Sequence, residues 1–318
     1  VSTGQKHISR RTEWLGYGAC ALAGSLWGTG FYFGRLALNE MSVEWMVLYR
    51  YAFACVGLLP MIFHKRVRLT GAEWGTLLLS AFLGIPLQFL MQFHGLAMTT
   101  VSHASLMVGT LPVMLAIVAV VFTGEKMQWV NWLALIGSTS GVGLIVLGGG
   151  KSGGHAGVIG PSLEGDLLIL VSLCISVAWI FLNKKLMKTH SPLVVTTYCI
   201  LAGSAMLVVW VMTPWLAGHA PGPPLAEVST KAWLALAASG LLCTATTTLL
   251  WNWGIHHVPT SRAGIFLNME PVVGSVMGVT LLGEVMGPTA WLGGGCILVA
   301  AIVMTVRGRE PEPEVILE

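Results

Sequence analysis

The chain has 318 residues, of which 55% are hydrophobic and only 10% charged, with a mean hydropathy of +0.77. Soluble domains carry about 25% charge, so a soluble globular fold is excluded, and disorder, collagen and disulfide scaffolds fail on the same composition. The net charge of +3 is too small to define a partner, so the placement of basic residues carries more information than their sum.

A helix needs about 20 apolar residues to cross a bilayer core of roughly 30 Å. Ten such runs follow in order: Trp14–Leu36, Glu44–Phe63, Glu73–Ala97, Ser102–Thr123, Trp129–Leu147, Gly165–Met187, Leu193–Trp215, Ala232–His256, Ser261–Gly283 and Thr289–Val306. The first is too long for a cleaved signal and has no small-x-small closure, so it reads as a signal-anchor. Turn and cap chemistry marks the connections, as at Leu69-Thr70-Gly71, Thr123-Gly124-Glu125-Lys126 and His219–Pro224. The longest, Gly148–Pro161, has seven glycines in fourteen residues and reads as a flexible connector. The expected organisation is a first half over 1–148, a periplasmic connector over 149–164 and a second half over 165–318. The runs do not alternate, which argues against a β-barrel. The fold class is therefore all-α integral membrane protein with ten transmembrane helices.

With a cytoplasmic N-terminus, the inner segments hold 13 Lys and Arg and the outer segments only Lys151 and Lys231; Arg35 and Arg50 lie at or within spans. This positive-inside bias places both termini in the cytoplasm. A shift of 159 residues superposes the two halves. Over 74–133 against 233–292, 16 of 60 positions are identical without a gap, including Pro112 on Pro271, Gly124-Glu125 on Gly283-Glu284 and Trp132 on Trp291. A shift of 152 sets Trp27 on Trp179. Five spans per half is an odd number, so the halves are inverted, an architecture that places a transport site between them near the midplane.

Trp27-Gly28 in the first span, Arg50 in the second, Pro112 then Gly124-Glu125 in the fourth, and Glu270-Pro271 then Gly283-Glu284 in the ninth resemble the drug/metabolite transporter superfamily of EamA type. The resemblance runs from about 14 to 306. It implies ten helices, a cavity built mainly by the first four helices of each half, and fifth and tenth helices set outside. It also implies small-metabolite transport, often export; within the family the chain is most similar to bacterial aromatic amino-acid exporters. It departs from the small four-helix multidrug members, because its first span lacks their Glu.

Several groups sit at depth, where polar side chains need a partner or water. Gln88 and Gln92 share a face, as do Trp27 and Phe31, Trp179 and Asn183, and Thr244, Thr247 and Trp251. Trp27, Phe31, Gln88, Gln92, Trp179, Asn183 and Trp251 are the candidate substrate-binding residues; the alternative for the amides is interhelical hydrogen bonding. Arg50 either holds a substrate carboxylate or clamps carbonyls of neighbouring helices. Glu270 either receives an ammonium or a proton, or bonds the kink or Asn268. Pro112 and Pro271 remove a helix hydrogen bond and are candidate gating hinges, or fixed kinks. Glu125 and Glu284 read as caps. His94, His103, His256 and His257 read as interfacial hydrogen-bonding groups, and the six Cys as small buried hydrophobes. Gly-xxx-Gly pairs such as Gly24 with Gly28 and Gly274 with Gly278 permit close helix approach.

No phosphate-cradling Gly-Lys-Ser/Thr loop, metal-binding pattern or catalytic elbow is present in the sequence, so no catalytic residue, cofactor, metal or nucleic-acid partner is expected and the chain reads as a non-enzyme. The expected partners are a small-molecule substrate and the lipid bilayer, in a bacterial inner membrane, with oligomeric state open and a monomer compatible. The reading is a secondary transporter exporting aromatic or other apolar amino acids by alternating access. The alternatives are a multidrug or other amphipathic-metabolite exporter and, in a different class, an intramembrane enzyme or receptor.

Overall fold

The computed structural model describes residues 10–64, 69–111, 113–115, 117–118, 129–148, 161–224, 228–255, 257–258 and 264–307. Among these residues the regular structure is helical, without strands. The helices are α1 (Arg10–Leu38), α2 (Val43–His64), α3 (Gly71–Met98), α4 (Val101–Val108), α5 (Trp129–Gly148), α6 (Leu163–Leu186), α7 (Pro192–Leu216), α8 (Thr230–Ile255), α9 (Met269–Leu281) and α10 (Pro288–Arg307). Their starts follow capping chemistry. Thr70 and Glu73 form a reciprocal capping box on α3, the hydroxyls of Ser162 and Ser229 accept from Gly165 and Ala232, and Pro192 opens α7, where a missing N–H costs nothing.

The packing repeats with two-fold pseudosymmetry. The second half of α8 lies on α1 and the second half of α3 on α6; α2 packs on α8 and α7 on α3; α4 crosses α9, and α5 pairs with α10. Buried Met46, Tyr51, Leu58, Ile85, Phe93, Leu96, Met107 and Ile169 belong to one core. The outer pair presents Trp129, Trp132, Ile136, Trp291, Leu292 and Val299 to the surroundings, as suits a lipid-facing surface. In lipid the hydrophobic effect does not drive helices together, so close packing must. A Cβ on Gly28 would lie 2.6 Å from the Glu270 carbonyl oxygen, and one on Gly141 2.6 Å from that of Gly293. Glycine at these positions is what lets α1 meet α9 and α5 meet α10.

Two departures from uniform α-helix stand out. A π-helical turn interrupts α3 at Leu83–Leu87 and another interrupts α8 at Leu241–Thr246. The 159-residue shift carries one onto the other to within a residue, so the interruption belongs to the repeat. Pro86 cannot donate a backbone hydrogen bond in the first turn, whereas in the second the Thr244 hydroxyl donates to the Ser239 carbonyl, five residues back, at 3.2 Å. The expectation of one continuous helix over Ser261–Gly283 also changes. A 3-10 turn, Gly264–Asn268, precedes α9. Pro271, with no N–H and a ring that crowds the carbonyl four residues back, is incompatible with a continuous α-helical ladder there. Pro271 thus stands at a junction near the start of α9. Pro112, Glu125 and most of the Gly148–Pro161 connector lie outside the described residues.

Candidate functional site

The site is built around α1. Around it Trp27 and Thr29 meet residues of α8, Gly30 meets Arg50 of α2, and Phe31 meets α3. The rings of Trp27 and Trp251 lie 5.4 Å apart at 54°, both partly exposed, and form one aromatic wall. The Thr29 hydroxyl meets the Cys243 sulfur at 3.0 Å inside the α8 π turn. Gly30 leaves room for Arg50, whose Nη2 would stand 3.8 Å from a Cβ added there.

Arg50 is 6% exposed. Its Nε and Nη2 both donate to the Thr244 hydroxyl at 3.4 Å, and its guanidinium stands 5.1 and 5.2 Å from the ring centres of Phe89 and Phe93. Each cation–π contact contributes roughly 0.5–2 kcal/mol, but neither ring takes a hydrogen bond. A buried guanidinium with five N–H donors is therefore held by one hydroxyl through two long bonds. Glu270 is partly exposed and interacts electrostatically with Arg50, yet the two make no ion-pair contact. Two opposed charges that make no direct contact are chemically suited to the two ends of a zwitterion.

Phe31 is buried and packs on Phe93 at 6.3 Å. Gln88 directly follows the α3 π turn; its Oε1 is buried without a hydrogen-bond partner, and Gln92, one turn on, is buried too. The structure does not bring Trp179 and Asn183 to this group. The Trp179 indole N–H donates to Cys199 Sγ at 3.3 Å and its ring lies over Gly84. Asn183 Oδ1 accepts from Ser80 at 2.7 Å. Both belong to the seam of α3, α6 and α7. The Thr247 hydroxyl returns to the Cys243 and Thr244 carbonyls.

At the N-terminal end of α1 an open recess of about 560 Å³ is lined by Arg10, Glu13, Trp14, Tyr17 and Phe266. Tyr17 and Phe266 pack in the same cluster as Trp251, so the recess adjoins the aromatic wall. At the opposite end the helices are tied together. Arg35 donates to the carbonyls of Leu96 and Thr99, complementing the negative end of α3. Glu284 accepts from the Val101 and Ser102 N–H groups at 2.7 Å and from the Ser102 hydroxyl at 2.6 Å, capping α4 from the far side of the bundle. Gly283, at φ 65°, makes the reversal that turns Glu284 inward. The Gly-Glu motif therefore has a physical purpose: the glycine turns and the carboxylate caps. The carbonyl clamp considered for Arg50 is made instead by Arg35.

Sequence reasoning did not single out Arg35, Thr99 or Asp166. The Thr99 hydroxyl donates to Asp166 at 2.5 Å, and His103 Nδ1 lies 3.4 Å from the other Asp166 oxygen. His103, in the first turn of α4 and read as a hydrogen-bonding group near a span end, is buried. His94 pairs with Glu44 at 3.1 Å near the rim, and His257 Nδ1 lies 2.8 Å from the Trp253 carbonyl. Among the described residues no group of His, Cys, Asp and Glu could hold a metal ion.

Helices with apolar outer faces, packed with two-fold pseudosymmetry, are the build of a multi-pass membrane protein. The chain belongs to the EamA-like transporter family, whose model matches residues 14–147 and again 163–306. It is 25% identical over 291 residues to an uncharacterized transporter of Archaeoglobus fulgidus, covering 90% of this chain and 95% of that one. It is 26% identical over 211 residues to a probable terminal-alkyne amino-acid exporter of Streptantibioticus cattleyicolor, covering 66% of each chain. A solved crystal structure superposes with a TM-score of 0.60 at 17% identity, covering 94% of this chain and 98% of that one, which establishes likeness of fold.

Proposed function

We propose that the protein exports amino acids with aromatic or other apolar side chains by alternating access, as a secondary transporter of a bacterial inner membrane. The observation that carries this reading is a buried Arg50, held through two long bonds to the Thr244 hydroxyl, that interacts electrostatically with Glu270 without an ion-pair contact, on helices packed against α1, which carries Trp27. Arg50 takes the carboxylate and Glu270 the ammonium. The tryptophans take the side chain, each ring contact contributing roughly 0.5–1.5 kcal/mol. Gln88 offers its unpaired carbonyl oxygen to the ammonium, and Gln92 and Phe31 shape the same wall. Trp179 and Asn183 brace the seam of α3, α6 and α7. Contacts this modest suit a carrier that must release its cargo. The similarity to an amino-acid exporter over part of the chain favours the same class.

Both termini face the cytoplasm in this reading, from the distribution of Lys and Arg, and the 149–164 connector faces the periplasm. The recess beside Trp251 then opens inward while the Arg35 and Glu284 contacts close the outer end. Pro112 and Pro271 act as bending points between the two states. Counterflow of labelled L-phenylalanine, L-tryptophan and L-leucine in proteoliposomes, with an amphipathic cation as comparison, tests the substrate class. Exchange of the amino acids that falls in Trp27→Ala and Gln88→Ala supports it. Exchange of the cation alone assigns the site to multidrug export.

A further inference from the structure

A guanidinium has two edges that can pair with an acceptor, one formed by Nε and Nη2 and the other by Nη1 and Nη2. In Arg50 the first edge is taken by Thr244, whose hydroxyl accepts from Nε and Nη2 at 3.4 Å each. The end edge, with Nη1, has no part in that contact and suits the two oxygens of a carboxylate. Both side chains are buried. The Thr244 hydroxyl can only accept from Arg50, and the reason lies in the π turn Leu241–Thr246. There its single hydrogen is committed to the Ser239 carbonyl, five residues back, at 3.2 Å, so its lone pairs are what it offers the guanidinium. A hydroxyl that donates in this way is also a better acceptor. The π turn recurs in the first half, but the 159-residue shift sets Ile85 at the position of Thr244. The Ile85 side chain packs on Gly203 of α7. The turn is common to both halves, and its hydroxyl is present where an arginine faces it.

We propose that Thr244 is a positioning residue that aims the end edge of Arg50 at a substrate carboxylate and so sets the preference for ligands that carry one; this rests on the Arg50–Glu270 reading of the site. Three features carry the assignment. First, the arginine side chain is long and flexible, and one acceptor that engages two of its donors fixes the plane of the guanidinium before a ligand arrives, which lowers the ordering cost of binding. Second, the acceptor is neutral. A carboxylate at this edge would pair with the charge, whereas a hydroxyl at 3.4 Å directs the group and leaves its charge for a ligand. Third, the hydroxyl is itself held in place. Cys243, the preceding residue, meets the Thr29 hydroxyl of α1 at 3.0 Å, and the Thr247 hydroxyl donates to the Cys243 and Thr244 carbonyls. The Phe89 and Phe93 rings, at 5.1 and 5.2 Å, stabilise the cation without supplying a hydrogen-bond direction. Thr244 supplies that direction.

Two measurements on the full-length protein test this. The first is calorimetric binding of L-phenylalanine, 3-phenylpropionate and phenethylamine. Thr244→Val and Thr244→Ala should each bind the two carboxylate ligands about tenfold more weakly than wild type and bind phenethylamine as wild type does. Thr244→Ser, which keeps the hydroxyl, should restore the affinity for both carboxylates. Thr247→Val removes a hydroxyl from the same turn without touching Arg50 and should keep the wild-type preferences. Equal weakening of all three ligands in the Thr244 variants, or the same lost preference in Thr247→Val, overturns the proposal and leaves Thr244 a part of the turn's packing. The second needs no ligand: melting midpoints of wild type, Arg50→Gln, Thr244→Val and the double variant. Losses that fall short of additive support the contact, and additive losses overturn it. A wild type that prefers L-phenylalanine to phenethylamine, with Thr244→Val keeping that preference, overturns the positioning role alone. A wild type that binds the three ligands equally overturns the Arg50–Glu270 site and with it the role of Thr244.

Discussion

Replacing Glu284 measures how much one carboxylate contributes to holding the bundle ends together. It is 6% exposed and binds two backbone N–H groups and a hydroxyl at 2.6–2.7 Å, at the positive end of α4. Glu284→Ala leaves the Val101 and Ser102 N–H groups buried without acceptors, each costing about 1–3 kcal/mol, and removes a charge from the helix end. Water entering the vacated volume recovers part of this, so about 3–5 kcal/mol is the expected loss, in the range for breaking one side of a buried charged contact. Glu284→Gln keeps the shape and one carbonyl acceptor but turns an N–H toward another N–H, so it should cost about half as much. Thermal unfolding in detergent, followed by the loss of the monodisperse peak in gel filtration, reads both. Glu164→Gln, on the exposed face of α6, serves as control and should stay within about 0.5 kcal/mol of wild type. If Glu284→Ala melts with the control, the carboxylate is not the cap described here.

Three further outcomes are expected. Glu40 accepts hydrogen bonds from the Ser229 backbone N–H and hydroxyl, which hold its carboxyl below the usual carboxylate range; its contribution is therefore complete above that range and lost as pH falls through it, so the difference in melting midpoint between wild type and Glu40→Gln should shrink on acidification from about pH 6 to 3.5. Pro271→Ala should change the maximal rate of counterflow more than the half-saturating concentration, because it alters the ease of bending at the α9 junction, and unchanged rates would leave Pro271 a packing feature. A single cysteine at His219, exposed in the turn after α7, should react with an impermeant maleimide in intact cells; reaction only after permeabilisation would reverse the proposed orientation.

The ten runs were legible because the bilayer imposes a length on every apolar segment, and the repeat was legible because Pro, Gly-Glu and Trp recur at one offset. Side-chain destinations were not. Trp27 and Trp179 align in the repeat, yet Gly84 makes room for the Trp179 ring while its counterpart, Cys243, fills that space and meets Thr29. Trp27 packs instead on Trp251. The π turns left almost no trace, since Leu241–Thr246 carries no proline or glycine. Asp166 carried no signal in the sequence. Its pairing with His103 depends on α6 meeting the α3–α4 corner, a contact between inverted halves that no local pattern encodes.

The most direct test of the Arg50–Glu270 site compares three ligands that differ by one charged group: L-phenylalanine, phenethylamine without the carboxylate, and 3-phenylpropionate without the ammonium. Binding is read by calorimetry on the purified protein. Each charged hydrogen bond contributes about 1.5–3 kcal/mol, so each truncated ligand should bind roughly 10- to 100-fold more weakly. Arg50→Gln should abolish the preference for L-phenylalanine over phenethylamine while keeping that over 3-phenylpropionate, and Glu270→Gln should do the converse. Equal binding of the three ligands, or unchanged preferences in both variants, would contradict the assignment of these two charges to the two ends of an amino acid.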